Sequence, residues 1–366
     1  MSTTSRPAGL RMPAEWAPHE RTLIAWPARE AAWRGGATIE QARDAHAAVV
    51  AAIAAFEPVT LVADPAHAED ARGRVPSENV EVVALPIDDS WLRDSGPIVV
   101  TGPAGERAGI DFRFNAWGEA FTPYDKDAAI AQRLLEHLEI ERFGSPIVLE
   151  GGSIAVDGEG TLLTTEQCLL NPNRNPLLER PEIEQELRLQ LGAERIVWLG
   201  QGLVEDADTD GHVDNVAAFV APGRVLLQTV EEESDPNFAG ALENRRRLQE
   251  AGLDVIDLPL LPRTRHADDG DTVAVPYMNF YLCNGAAIVP LAQLDHDMDE
   301  EALTRLRALL PGREVVGVPG RVLALGGGGV HCITQQIPAN PAAGSLGFAS
   351  ENSLEAPSRS REETQR

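Results

Sequence analysis

Cysteine is scarce in this sequence: three in 366 residues, at Cys168, Cys283 and Cys332. An odd number with no Cys-x-x-Cys pair argues against a disulfide framework or a cysteine-rich zinc site. It is the usage expected of a reducing cytoplasm. Lysine is scarcer, with Lys126 alone among 31 basic residues. A lysine Schiff base would have to use that residue, which lies in the polar run Tyr124-Asp125-Lys126-Asp127 ahead of a helix. No uninterrupted apolar run approaches a membrane span. Met1 to Met12 lacks the apolar segment of a secretory signal. A cytoplasmic protein with no membrane partner is therefore expected. Positive charge is also in deficit, the net charge being -26. Such a chain repels nucleic acid and draws in small cations, although solubility alone accounts for much of the imbalance.

What is present is an ordinary globular composition, 43% hydrophobic, long enough for one large domain or two. Residues 1–11 read as a disordered N-terminus, 12–338 as a single catalytic domain, and 339–366, rich in Ala, Gly, Ser and then charge, as a disordered tail. Strands are expected at 22–27, 59–62, 80–85 and 98–100, and a helix at 39–56. Further helices are expected at 126–138, 181–190, 237–251 and 298–309. Each precedes a strand and then a polar cluster. The clusters fall near positions 94, 151, 213, 282 and 332, as five versions of one unit of about 50–70 residues would place them. Units stacked around an axis would bring all five clusters to the centre. An open α/β sheet with coincidental spacing is the alternative.

Several clusters carry reactive side chains. Cys332 follows the four glycines Gly326 to Gly329, where backbone can turn sharply or lie close to a ligand. A thiol at such a strand-to-loop corner faces a pocket, or is a buried cysteine beside a flexible loop. His212 and Asp214 are two apart and would share one face of a strand. With Asp94 or Glu150 they would form a metal site, a histidine–carboxylate catalytic set, or a solvated turn. Asp206, Asp208, Asp210 and Gly211 match half a calcium loop, but Ala217 stands where its bidentate glutamate belongs. Asp94 lies in a polar corner beside Arg93, a local ion-pair partner. Glu150 ends an apolar strand and so needs a partner. One thiol, one histidine and three carboxylates suit a planar, multiply protonated cation. Carboxylates accept the paired N–H groups of a guanidinium, and pinning it aims the central carbon at a thiolate.

The sequence resembles the agmatine deiminase family, the branch of the guanidino-group-modifying enzymes that includes bacterial-type peptidylarginine deiminases. The matching stretches are Met12 to Trp16, Ala25 to Pro27, Asp88 to Pro97, Asn115 to Gly118, Glu150 to Ser153, Thr164 to Pro176, Asp208 to Asn215, Asn279 to Tyr281 and Gly327 to Gln336. The resemblance implies a five-bladed pseudo-symmetric α/β propeller, the pentein fold, of ββαβ-type units. It implies hydrolysis of agmatine to N-carbamoylputrescine and ammonia, a step toward putrescine, through a covalent S-alkylthiouronium. The nucleophile falls on Cys332, the acid/base on His212, the residue orienting it on Glu150, and the guanidinium-binding pair on Asp94 and Asp214. Trp91 and Trp117 fall in segments that line the substrate tunnel. Cys168 and Cys283 match no catalytic position and are read as buried. Neither metal nor organic cofactor is implied; the partner is a small cationic guanidino compound, and a homo-oligomer is compatible. Two positions depart from the family pattern: Glu119, where agmatine-specific members tend to carry glycine, and Asp210, where asparagine usually precedes the glycine. These leave deimination of free or peptide arginine as a rival, and from another class a non-catalytic guanidine or polyamine binder.

Overall fold

The computed structural model describes residues 9–33, 36–267 and 270–340. Its strands fall into five small sheets of one design, plus a short hairpin of Arg263–Arg265 with Thr272–Ala274. In each design two antiparallel strands are followed by a helix, which returns a third strand parallel to the second. Ile98–Thr101 and Arg107–Arg113 pair in this way, and Arg142–Val148 returns after the helix Ile130–His137. Ile154–Val156, Thr161–Thr165 and Arg195–Leu199 repeat the pattern around the helix Arg180–Leu191. Ala217–Ala221, Arg224–Gln228 and Asp254–Leu258 do so around Phe238–Glu250. Tyr281–Cys283, Ala286–Leu291 and Glu314–Pro319 do so around His296–Leu309. The remaining sheet joins the two ends of the described chain. Thr334–Pro338 lies antiparallel to His19–Ala25, which is parallel to Val59–Ala63, and Val80–Ala84 adds a fourth strand. The five-unit α/β fold is therefore present, and its period was legible in the spacing of the polar clusters.

The local sequence explains the elements. Thr38 and Gln41 form a reciprocal capping box at the start of the helix Ile39–Ala54, satisfying donors that the first turn leaves open. Arg180–Leu191 carries Pro181 in its first turn and stops at Gly192 with φ 69°, a left-handed cap that glycine adopts without a Cβ clash. Central strands such as Val59–Ala63 and Thr161–Thr165 are buried at every position, which is why they read as continuous rather than alternating runs. Helix bounds depart from expectation by a residue or two, except that the first turn before Ile130 is a 3-10 turn, Asp127–Ala129.

The first strand of every unit is entered through a short turn. Leu92–Ser95 precedes Ile98, Gly151–Ser153 precedes Ile154, Val213–Asn215 precedes Ala217, and Val330–Ile333 precedes Thr334. In the fifth unit the turn runs from Pro276 to Asn279, closed by the Asn279 N–H on the Pro276 carbonyl at 3.1 Å. Two expectations are corrected here. His212 and Asp214 are not on a strand but at and within a one-turn 3-10 helix. Cys332 is not at a strand-to-loop corner but inside the one-turn helix Val330–Ile333. The physical reason is common to both: a strand would spend their backbone on ladder pairing, whereas a single turn lets side chains point at the centre. Of the expected N-terminal disorder, residues 1–8 lie outside the described residues, while Arg11 forms a bridge with Thr101. The expected tail lies outside them from residue 341 onward.

Candidate active site

The five entry turns supply Asp94, Glu150 with Gly152, His212 with Asp214, Asn279 and Cys332, and direct polar contacts join all five turns. Gly152 is the floor. Its N–H donates to Asp94 Oδ1 at 2.9 Å. A methyl group on Gly152 would lie 2.6 Å from His212 Nδ1, 2.9 Å from Asp94 Oδ1 and 3.0 Å from Asp214 Oδ2. That one point is therefore surrounded by an imidazole and two carboxylates, and only the absence of a Cβ keeps it open. Cys332 Sγ lies 3.5 Å from Asp214 Oδ2 and accepts from Asn279 Nδ2 at 3.2 Å. Asn279 also contacts Asn215 Oδ1 at 3.0 Å. The thiol is thus in contact with Asp214 and lines the same cavity as Asp94.

All of these groups are buried: Asp94 is 6% exposed, Asp214 5%, Cys332 6%, and His212 and Glu150 are at 0%. Burial pushes the Asp94 carboxyl up to about 6, with Asp214 and Glu150 adding to the rise and His212 opposing it. For Asp214 burial works the same way, but His331 more than reverses it and holds the carboxyl below its ordinary value. Burial also raises the Cys332 thiol well above its ordinary value, helped by Asp214 and Asp94. For His212 burial opposes a charge and is the largest single influence, but Asp94, Cys168 and Asp214 together outweigh it and the imidazole's pKa is raised. The two directions favour a protonated thiol at Cys332 and a protonated ring at His212.

His212 has no hydrogen-bond partner on either ring nitrogen. Nδ1 is 3.8 Å from Asp94 Oδ2 and Nε2 is 4.0 Å from Glu150 Oε2. Glu150 is held from behind by Arg174, whose Nε donates to Oε1 at 2.6 Å. Arg174 also reaches Asp210 at 2.8 Å and the Thr209 carbonyl at 3.0 Å. This buried arginine was not singled out from sequence, although it lies in the matching stretch Thr164 to Pro176. Asn279 was also missed; the signal available was its place in the fourth polar cluster, near position 282. Cys168 is buried as expected, but against the site. Its sulfur, a Glu150 oxygen and a His212 nitrogen lie within 4.8 Å of one another. These are donor types that suit a transition metal. Arg174, however, already places a guanidinium on Glu150, where its charge opposes a second cation. Cys283 is elsewhere, buried, with its thiol pushed up to about 12 by burial and then by Glu57.

Trp91 and Trp117 both line the cavity above the thiol, with Ala32, Asp89, Phe121 and Asp208 also on its wall. Trp117 Nε1 donates to Asp94 Oδ2 at 2.9 Å. The ring is presented by a left-handed turn in which Ala116, Trp117 and Glu119 have φ of 51°, 55° and 65°. Trp91 packs where Gly328 has no side chain; a methyl there would come within 2.5 Å of the ring. Arg93 is not the ion-pair partner of Asp94. It turns away to Gln336 at 2.7 Å and Glu15 at 3.5 Å. The calcium reading fails on Asp206, whose carboxylate accepts from Thr209, the His212 N–H and Asn215. It is committed to holding the turn that carries His212.

The two departures from the family pattern share a backbone cause. Glu119 has φ 65° and Asp210 φ 60°. A left-handed conformation costs an ordinary residue about 1 kcal/mol, and glycine or asparagine adopts it more readily. Asp210 has a compensation, since its carboxylate binds Arg174 and accepts from Asn173 Nδ2 at 2.9 Å. Neither departure changes a group at the point beside Gly152.

Residues 11–338 match the family model of the Porphyromonas-type peptidyl-arginine deiminases. The chain is 44% identical over 365 residues to the agmatine deiminase of Pseudomonas aeruginosa strain LESB58, covering 92% of this chain and 98% of that protein. The solved structure of the Enterococcus faecalis agmatine deiminase aligns with a TM-score of 0.87 at 35% identity, over 93% of this chain and 99% of that one. A C. jejuni agmatine deiminase variant with substrate bound aligns with a TM-score of 0.82 at 28% identity, over 90% and 97%. A dimethylarginine dimethylaminohydrolase, at 16% identity and a TM-score of 0.50, shares the fold alone.

Proposed function

From the premise that this chain belongs to the Porphyromonas-type peptidyl-arginine deiminase family, we propose that it hydrolyses agmatine to N-carbamoylputrescine and ammonia. The observation that carries this reading is the point beside Gly152, ringed by His212, Asp94 and Asp214 with Cys332 alongside. Asp214 Oδ1 and both His212 nitrogens are buried without partners, and buried polar groups left unpaired are costly unless a ligand satisfies them. A guanidinium supplies the missing N–H donors for the acid and the positive charge that two carboxylates require.

The cation completes the catalyst. Seated between Asp94 and Asp214, its charge stabilises the thiolate of Cys332, and the thiol proton leaves to solvent. The sulfur attacks the guanidinium carbon and forms a C–S bond. His212, as imidazolium, gives its proton to the departing nitrogen, and the C–N bond breaks to release ammonia. The remaining S-alkylthiouronium is attacked by water, from which the now neutral His212 takes a proton. Collapse breaks the C–S bond, the adduct's hydroxyl proton passes to the departing sulfur to restore the Cys332 thiol, and the ureido product is left. Glu150, fixed by Arg174, faces Nε2 and stabilises the imidazolium.

Agmatine is favoured over arginine by the wall of the cavity. Among the described residues that line it, Asp89, Asp94 and Asp208 are acidic and none is cationic. Asp89 is ion-paired with Arg29 at 2.9 Å, but an α-carboxylate would still find acids and no cation among the lining residues, which disfavours arginine. The relatives compared above at 44% and 35% identity are agmatine deiminases. The test is ammonia release from a panel of agmatine, free arginine and peptidyl arginine. The reading expects kcat/KM highest for agmatine by about a hundredfold or more, since placing like charges together costs several kcal/mol. Equal or better turnover of arginine would overturn the substrate, and no turnover of any of the three would overturn the enzyme.

A further inference from the structure

His331 adjoins Cys332 and takes no part in the steps above. Its ring is held at both ends. Nδ1 is 2.9 Å from Asp214 Oδ2 and Nε2 is 2.8 Å from Glu15 Oε2. A neutral imidazole has one N–H and an ionised carboxylate has none, so both contacts are hydrogen bonds only when the ring is the cation. The His331 main-chain N–H is tied to Asn279 Oδ1 at 2.9 Å. Glu15 is itself anchored, accepting from the Leu282 N–H at 2.7 Å and from Arg93 at 3.5 Å. The charged groups facing the ring are therefore Glu15, Arg93 and Asp214, with Asp94 and His212 beyond Asp214. Glu15, Arg93, Asp214, His331 and Gln336 also line a second cavity. It shares no lining residue with the one that holds Cys332. Asp214 thus touches the nucleophile on one side and lines a separate, mostly apolar chamber on the other.

We propose that His331, with Glu15 behind it, is the positioning pair that keeps Asp214 an oriented anion for the incoming guanidinium. The inference rests on the reading that Asp214 binds substrate. Asp94 and Asp214 approach the same point to within about 3 Å, and two acids so placed normally force a proton onto one of them. The two are not equivalent. Asp94 has two neutral donors, the Gly152 N–H and the indole N–H of Trp117, and a histidine only at 3.8 Å; Asp214 has an imidazolium at hydrogen-bond distance. That asymmetry decides which acid retains its charge, and it fixes Oδ2 in place while leaving Oδ1 open. The chain of alternating charge, Asp214–His331–Glu15–Arg93, runs away from the site. The opposed directions of shift at Asp214 and Asp94 agree with it.

The test compares Glu15→Gln, His331→Asn, His331→Ala and Asp214→Asn in the full chain, with KM, kcat and pH profiles for agmatine. Removing one charge-assisted hydrogen bond predicts a KM raised about tenfold or more in Glu15→Gln and His331→Ala, with kcat within about threefold. In Glu15→Gln the ring loses one of the two carboxylates that hold its proton. The alkaline limb of kcat/KM then moves to lower pH, a change that a merely structural glutamate would not produce. His331→Asn keeps a neutral donor toward Asp214 and falls between the parent and His331→Ala in KM. If Asp214→Asn leaves KM unchanged, the substrate-binding reading itself fails. If Asp214→Asn raises KM while the other three match the parent in KM and pH limbs, the positioning proposal alone is overturned. Should Glu15→Gln not fold, the His331 pair still decides between these outcomes.

Discussion

Two histidines stand on opposite sides of Asp214, and their surroundings differ in one respect. His331 has a carboxylate on each ring nitrogen. His212 has none within hydrogen-bond distance on either. His212 is buried and His331 half-buried, and both have a raised pKa in spite of desolvation. A proton clamped between two acceptors is a fixed charge. A proton on a ring with unsatisfied nitrogens is available to a reacting group. The same residue type thus serves as a structural cation in one turn and as a proton carrier in another, and the difference lies in how many partners the fold provides.

The comparison can be broken most severely at the nucleophile. Cys332→Ala leaves both histidines in place and removes the reacting atom. Ureido-product formation is expected to fall by at least about 10⁴-fold, on the scale of other nucleophile deletions, with an unchanged circular dichroism spectrum; retained activity would refute the mechanism. Next comes His212→Asn. Loss of general acid–base transfer lowers kcat by about 10³-fold with little change in KM, the reverse of the pattern expected at His331. A rise in KM alone would mean that the two histidines share one role. Gly152→Ala is subtler. Its methyl would stand 2.6 Å from His212 Nδ1, and displacing a catalytic group by about 1 Å costs about a hundredfold. The expected loss is in kcat/KM, and wild-type kinetics would show that the site is not where the floor of Gly152 puts it.

The smallest effect is a pH dependence. Asp94 has its carboxyl raised to about 6 by burial and by its acidic neighbours. As pH falls through that value the carboxylate takes a proton and loses its claim on the guanidinium. kcat/KM should therefore decline by about tenfold per pH unit below 6. The bound cation favours the ionised acid, so the corresponding limb in kcat lies at lower pH. A limb in kcat/KM at the ordinary aspartate value would remove the asymmetry between the two acids.

Much of this was legible in the chain itself. The period of the polar clusters near 94, 151, 213, 282 and 332 corresponds to the five entry turns. Glycine beside a reactive residue pointed to the places where backbone lies close to the centre. What sequence reasoning placed wrongly was local: His212 and Asp214 on a strand, Cys332 at a corner. One-turn helices of four residues carry no periodicity to read. What it missed was contact. Arg174 lies 24 positions from Glu150 and Glu15 316 positions from His331, and neither pairing leaves a mark in composition or spacing. Cys168 was rightly read as buried, but no feature of its neighbours in sequence announces that it packs beside His212. The left-handed turns at Glu119 and Asp210 were visible only as departures from a pattern, not as the backbone angles that cause the pattern.

The central claim is that a cation held by Asp94 and Asp214 turns a buried, neutral thiol into a nucleophile. The most direct measurement is alkylation by chloroacetamidine, which carries an amidinium, against neutral chloroacetamide, followed by mass spectrometry of the cysteine-containing peptides. The account predicts that the amidinium reagent displaces chloride at Cys332 alone, much faster than the neutral one, with protection by agmatine and loss of the preference in Asp94→Asn. Equal rates for the two reagents, or labelling spread over Cys168 and Cys283, would contradict it.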